Sequence, residues 1–458
     1  MGSLIDNAVL DERKESILLK TNEHNKSVRC EKDSLAGSVS QRACVYCGAR
    51  VVLNPITDAF HIVHGPIGCA SYTWDIRGSL TSGPEIYRNS FSTDLGEKDV
   101  VFGGEKKLSA AIDEIVEKYS PSVIFIYATC IVGVIGDDIE AVCKAAETKH
   151  SIRVIPVKSS GFAGNKAMGY RAACHALMNL MRGGTNQINP ILSKVNGINI
   201  LGDFNLAGEM WIITDYLKKI GVNVISKITG DSRCKEIVNA PSASLNIVQC
   251  AGSMTYLAKM MEEEFNIPFV KVSFFGIEDT RLSLMRIAEA LKDEKAIEKA
   301  TKLVGEEENK IRPMLEYYKS RLKGKKAAVY VGGGFKAISL IKQFAGLGID
   351  TVVVGTQTGK KDEYEVIKSI VSEGTVILDD TNPSELEMFI KKTGADILVG
   401  GVKERPLAYK LGIAFCDHNH ERKHPLCGYE GAVNFAKEID STINSPVWKY
   451  VVKEYMLL

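Results

Sequence analysis

The chain lacks several features, and each absence excludes a class of protein. No apolar run in its 458 residues reaches the ~18 that a membrane-spanning helix needs. The first residues, M-G-S-L-I-D, hold no apolar signal core, and Asp6 stands where N-myristoylation requires Ser or Thr. Charge of one sign is missing too. The 57 Lys and Arg against 56 Asp and Glu leave a net charge of +1, which gives no footprint for nucleic acid or an anionic membrane. No G-x-x-x-x-G-K-[ST] occurs, so nucleotide chemistry must come from another protein. A C-x₂-C…C-x₂-C zinc pattern and a short-period repeat are both absent.

What is present reads as a globular chain, 45% hydrophobic and 25% charged. At about 100–200 residues per domain, the length sets a range of two to four domains. Eleven cysteines without an export signal argue for a reducing cytoplasm and for metal or redox use rather than a disulfide framework.

Residues 1–40 are polar and aperiodic and predict a loose extension with at most one short helix. Strand–helix alternation starts near Gln41. Short Val- and Ile-rich runs predict strands at 123–127, 153–157, 198–201, 223–228, 245–248, 269–272, 327–331, 351–354, 375–378 and 396–399. Helical patterns fall between them, at 108–118, 139–149, 167–180, 209–220, 254–264 and 281–291. Such β–α–β order predicts an α/β fold of parallel sheets flanked by helices. The charged stretch 292–326 reads as an exposed bridging helix. The expected division is an extension at 1–40, Rossmann-like units at 41–196, 197–322 and 323–440, and a segment at 441–458 returning to the first unit.

Three cysteines sit where a loop or turn is expected. Cys44 opens A-C-V-Y-C-G-A, Cys69 lies in H-G-P-I-G-C-A, and Cys130 ends V-I-F-I-Y-A-T-C. A residue at the C-terminal tip of a parallel strand faces the crevice where open α/β sheets bind ligands. Soft thiolates from separate loops suit an iron–sulfur cluster, zinc or Cu(I), although any one of them is equally compatible with an inert core position. Cys44 and Cys47 form a C-x₂-C with either redox or ligand meaning. Cys250 ends L-N-I-V-Q-C just before a helix, where the helix dipole favours a thiolate. Arg77, eight residues beyond Cys69, reads as a fixed charge for an anionic cofactor or as a surface ion pair. The run V-G-G-G-F-K, with Gly332, Gly333 and Lys336, occupies the anion-cradling turn of a Rossmann unit without completing a dinucleotide fingerprint. His418, His420 and His424 crowd between Cys416 and Cys427, as metal ligands or as a polar loop.

Together R-A-C-V-Y-C-G-A, H-G-P-I-G-C-A-S-Y-T-W-D-I-R-G, T-S-G-P-E-I-Y-R, T-D-L-G-E-K-D-V-V-F-G-G-E-K-K-L and the final S-P-V-W resemble the nitrogenase component 1 α-type subunits, over about residues 41–450. The resemblance is to the branch that assembles the iron–molybdenum cofactor rather than using it. It implies three Rossmann-like domains and an α₂β₂ heterotetramer with a β-type subunit. It implies a [4Fe–4S] cluster on Cys44, Cys69 and Cys130 at that interface, one ligand short without the partner. Cys250 would ligate an iron–sulfur precursor that matures with molybdenum and homocitrate. Arg77, Gly332, Gly333 and Lys336 would lie beside it. The other implied partners are an ATP-dependent iron protein, a precursor-donating radical SAM protein and the recipient nitrogenase component 1.

Two departures separate scaffold from catalyst. Gly169-Tyr170-Arg171 stands where catalytic subunits carry G-H-H. Cys427, before G-Y-E-G, stands where catalytic subunits carry a cofactor-ligating histidine, and reads either as a replacement ligand or as a small loop residue. The alternatives are a catalytic nitrogenase-like reductase and a non-catalytic iron–sulfur storage or docking protein.

Overall fold

The computed structural model describes residues 5, 9–21, 27–30, 43–74, 79–82, 89–185, 195–419 and 421–451. Fourteen strands among them form three sheets. The first has β2 (Ala59–His64), β3 (Ser90–Ser92), β4 (Val123–Ala128) and β5 (Arg153–Val157) in the order β3-β2-β4-β5, all parallel. The second has β6 (Val195–Asp203), β7 (Val224–Thr229), β8 (Ala243–Val248) and β9 (Phe269–Lys271) in the order β7-β6-β8-β9, again parallel. The third joins β10 (Lys326–Val331), β11 (Asp350–Thr356), β12 (Val376–Asp379), β13 (Ile397–Gly400) and β14 (Ala414–Asp417) in parallel. Its edge strand β1 (Ile17–Leu19) pairs antiparallel with β12. The expected α/β class with parallel sheets is met, and every predicted strand is present to within a few residues.

The chain divides into two compact units. One holds residues 43–272 and 285–299 with the first two sheets; the other holds residues 1–42, 273–284 and 300–458 with the third. The first two sheets share a unit because one apolar cluster spans them. Phe125 and Ile155 of the first and Leu201, Ile228 and Val248 of the second belong to the same buried core.

Residues 9–21 of the N-terminal extension carry more regular structure than their polarity suggests. A 3₁₀ turn, Asp11–Ser16, leads into β1, and buried Arg13 donates to the Glu385 carboxylate at 3.2 Å and to the Asp379 carbonyl at 2.6 Å. The described part of the C-terminal segment groups with the second unit, where Trp448 lies against the core of the third sheet. The charged stretch forms a 29-residue helix, Glu294–Leu322. Among the described residues no helix is long and apolar enough to cross a membrane.

Candidate metal-cluster sites

The three cysteines start helices rather than sitting in open loops. Cys44 is the N-cap of the helix Val45–Leu53. Cys69 is the third residue of Ile67–Trp74, and Cys130 is the first of Cys130–Ile135, directly after β4. The correction at Cys69 has a plain cause. Pro66, with its fixed φ and missing N–H, is as good a helix starter as a turn former. The amide of Cys69 already bonds back to the Pro66 carbonyl at 3.0 Å.

The fold brings these cysteines to one surface. A Cβ built on Gly161, in the loop after β5, would lie 2.8 Å from Cys130 Sγ and 3.8 Å from Cys44 Cβ. The Gly161 amide donates to Cys130 Sγ at 3.2 Å, the kind of N–H···S bond that tunes a cluster thiolate. Burial pushes the Cys69 thiol up, and the neighbouring Cys130 and Cys44 sulfurs add to the rise by like-charge repulsion. Cys44 is exposed, and Cys69 and Cys130 are half-buried. Ile67 and Phe162, 57% and 74% exposed, put apolar surface on the same elements. A soft donor set, an amide aimed at sulfur and a glycine where a side chain would collide fit an iron–sulfur cluster. Among the described residues no three His, Cys, Asp or Glu side chains gather closely enough to hold a single metal ion.

A buried network behind the trio fixes two of its loops. His64, at the end of β2, meets Asp137 Oδ2 through Nε2 and Thr93 Oγ1 through Nδ1, both at 3.0 Å. Its carbonyl accepts from the amide and the hydroxyl of Thr129, the residue before Cys130. Gly65 has no room for a side chain, because a Cβ would stand 2.1 Å from Thr129 Oγ1. Sequence reading missed Gly161, His64, Thr93 and Asp137. The available signal was position, since Gly161 follows a strand tip as Cys130 does.

Cys47 does not join Cys44. It is buried in the helix Val45–Leu53 against Ala43, Val51 and Tyr170, so the C-x₂-C has only its first sulfur at the surface.

Cys250 caps the helix Ala251–Phe265 and is half-buried at the tip of β8. Gly202 (φ +89°) lies against it, at 2.8 Å between Cys250 Cβ and a Cβ built on the glycine, so neither a bulky nor an ordinary right-handed residue fits there. Arg77 lies outside the described residues, as does His420.

The remaining candidates belong to the other unit. Gly332 and Gly333 follow β10, and a Cβ on either would meet open space; the sterically required glycine is Gly334, packed against Glu363. Glu363 also accepts from the Phe335 amide at 3.2 Å, so this chain's own carboxylate takes a donor that an anion would need. Lys336 donates to the His418 carbonyl at 3.2 Å and lies over the Phe275 ring, which ties a loop down. His418 is fully buried, edge-on to Phe275 and Phe435, and burial holds its imidazole well below the usual range. Cys427 has no exposed surface, as N-cap of the helix Gly428–Ile443.

A sequence profile of the family described as nitrogenase component 1 type oxidoreductase matches residues 44–444. The chain is 70% identical over 447 residues to the nitrogenase iron-molybdenum cofactor biosynthesis protein NifE of Clostridium pasteurianum, with 97% of each covered. It is 55% identical over 449 residues to the NifE protein of Methanosarcina barkeri, covering 96% of this chain and 97% of that one. It is also similar to the solved structure of nitrogenase Cp1 at pH 5, with a TM-score of 0.87 at 31% identity and 98% of each chain covered. On the profile match and these identities, the chain belongs to the nitrogenase component 1 family.

Proposed function

We propose that this chain is the α-type subunit of a scaffold on which the iron–molybdenum cofactor is assembled from an iron–sulfur precursor before transfer to nitrogenase. The observation that carries the reading is a pair of unequal sites in one compact unit. Three cysteines meet at an apolar, exposed face, while Cys250 stands on another helix with a single sulfur. The 70% identity to a protein named for cofactor biosynthesis supports it.

Cys44, Cys69 and Cys130 would hold a [4Fe–4S] cluster that supplies one-electron chemistry when bound. Three thiolates leave such a cluster one ligand short, and the exposed Ile67 and Phe162 give a β-type, NifN-like subunit a dry face against which to complete it. In the proposed assembly two such pairs form an α₂β₂ heterotetramer. The Gly161 amide orients the Cys130 sulfur, and the His64 network keeps the segments of Cys69 and Cys130 in register. Cys250 would present one thiolate to the cargo, which suits a carrier that must let go. Tyr170 and Arg171 offer no histidine for proton delivery to a small substrate. Electrons would come from an ATP-dependent iron protein, the precursor from a radical SAM protein, and the product would pass to nitrogenase component 1.

Iron content and EPR spectra of the anaerobically co-purified complex test this, wild type against Cys250→Ala. The variant is expected to lose one iron-rich signal and keep a four-iron signal. Identical spectra in the two proteins would sink the carrier role.

A further inference from the structure

Parallel strands of one sheet end on one edge, and in the second sheet three neighbouring strand ends form a row. β7 runs into Gly230 and Asp231, β6 into Phe204 and Asn205, and β8 into Cys250. The order β7-β6-β8 and the ~4.8 Å spacing of paired strands set these tips side by side. The contacts agree. The Gly230 amide donates to the Asp203 carbonyl and the Gln249 amide to the Leu201 carbonyl, both at 2.8 Å, and Gly202 lies directly against Cys250.

Residues 79–82, distant in sequence, are fastened across two of these tips. Ser79 Oγ donates to the Phe204 carbonyl at 2.7 Å. Leu80 and Asn205 exchange two bonds: the Leu80 amide donates to the Asn205 carbonyl at 2.8 Å, and Asn205 Nδ2 donates to the Leu80 carbonyl at 2.6 Å. Asp231 accepts from the Ser82 amide at 2.9 Å, from the Ser82 hydroxyl at 2.7 Å and from Trp211 Nε1 at 2.7 Å. Both anchors are buried, and both hold left-handed backbone, φ +50° at Asn205 and +52° at Asp231. Asparagine and aspartate are the residues other than glycine that adopt it most readily. Burial would raise the Asp231 carboxyl, but the Ser82 and Trp211 donors outweigh it and hold the group below its usual range. The result is a short strap, tied by an ion and a carboxamide, beside a lone thiol.

We propose that Asn205 and Asp231 are positioning residues for the iron–sulfur cargo carried at Cys250: they pin residues 79–82 as a fixed wall on the β6 and β7 side of the thiol. The inference rests on the scaffold reading above and adds to it the surface that orients the cargo. A bulky group held by one thiolate can turn about its single iron–sulfur bond, so its orientation has to come from a neighbouring surface that does not yield. Asn205 and Asp231 touch the strap and not the cargo. No covalent bond is made or broken there, so the wall orients the cargo without hindering its release.

The test uses the anaerobic complex loaded with its iron–sulfur precursor, with the EPR spectrum, iron per heterodimer and melting temperature taken on the same samples. Asp231→Ala is expected to change the lineshape of the cargo signal and to weaken cargo retention about tenfold, the lower end of what loss of an outer support costs a metal site. The four-iron signal should stay as in the wild type. Asp231→Asn, which keeps the shape and an acceptor for Ser82, should restore most of both properties. Ser82→Ala removes only the hydroxyl partner; it should shift the cargo lineshape the same way by less, and it decides the matter if Asp231→Ala does not fold. A wild-type cargo lineshape in these two alanine variants overturns the proposal. So does loss of the cargo and four-iron signals in step with a lowered melting temperature, which would mark a general structural role. A Cys250→Ala protein that keeps its cargo would sink the scaffold reading itself, a result distinct from either.

Discussion

Cys44 and Cys250 each cap a helix, Val45–Leu53 and Ala251–Phe265, and neither side chain bonds to the helix it caps. Their surroundings differ. Around Cys44 the chain supplies two more sulfurs, an amide aimed at one of them and a loop locked by a buried histidine. Around Cys250 it supplies a tight glycine at the back. Many fixed donors make a site that keeps its occupant. One thiolate makes a site that can give it up.

One substitution should break both sites at once. Gly169 and Gly48 meet where two helices cross, and a Cβ on Gly169 would stand 2.0 Å from the Val45 carbonyl oxygen. Backbone cannot yield as a flexible side chain would, so Gly169→Ala is expected to cost at least ~1–3 kcal/mol, read by urea unfolding of the apo chain. Iron should fall at both sites together. A selective loss at Cys250 alone would mean that the crossing does not hold the Cys44 helix.

A smaller and one-sided effect is expected of Gly161→Ala. Its methyl would press on Cys130 Sγ from 2.8 Å and disturb the N–H···S bond. The four-iron EPR signal should weaken or shift while the signal that depends on Cys250 persists. Equal loss of both would erase the distinction between the sites.

The smallest effect concerns pH. The Cys69 thiol is raised above its ordinary value by burial first and by the neighbouring sulfurs second. Its protonated form is therefore favoured in the folded apo chain. That stabilisation is complete below the unfolded thiol value, about 8.5, and is lost as pH climbs through the raised folded value. The apo melting temperature should fall through this alkaline window, and Cys69→Ser should remove part of the slope. Cluster loading needs thiolate, so iron uptake by the apo trio should run the other way and improve as pH rises.

The strands were legible because most are unbroken apolar runs, and the ones that were missed explain themselves. β2 reads A-F-H-I-V-H, and its histidines make it look half-exposed. Both are buried because both find partners, His61 Nδ1 at 2.9 Å from the Tyr127 hydroxyl and His64 between Thr93 and Asp137. β3 has three residues, β14 has four, and β1 belongs to a polar extension, too little pattern to read. Cys44, Cys69 and Cys130 were legible singly, from their breaks in periodicity. Their meeting, and the role of Gly161 between them, depends on which strand lies beside which, and local spacing carries no record of that. Cys427 shows the converse: a cysteine before a glycine-rich helix start reads from local sequence as an open loop position, and in the fold it is buried.

The crossing of Gly48 and Gly169 acts as a gauge. The helix capped by Cys44 lies on the helix of Gly169 with no side chain between them at that point, and one turn further that second helix meets the start of the Cys250 helix. At that crossing the spacing of the two helices is thus set by backbone thickness. A Cβ on either glycine would run into the backbone of the other helix, 2.2 Å from the Lys166 carbonyl oxygen for Gly48 and 2.0 Å from that of Val45 for Gly169.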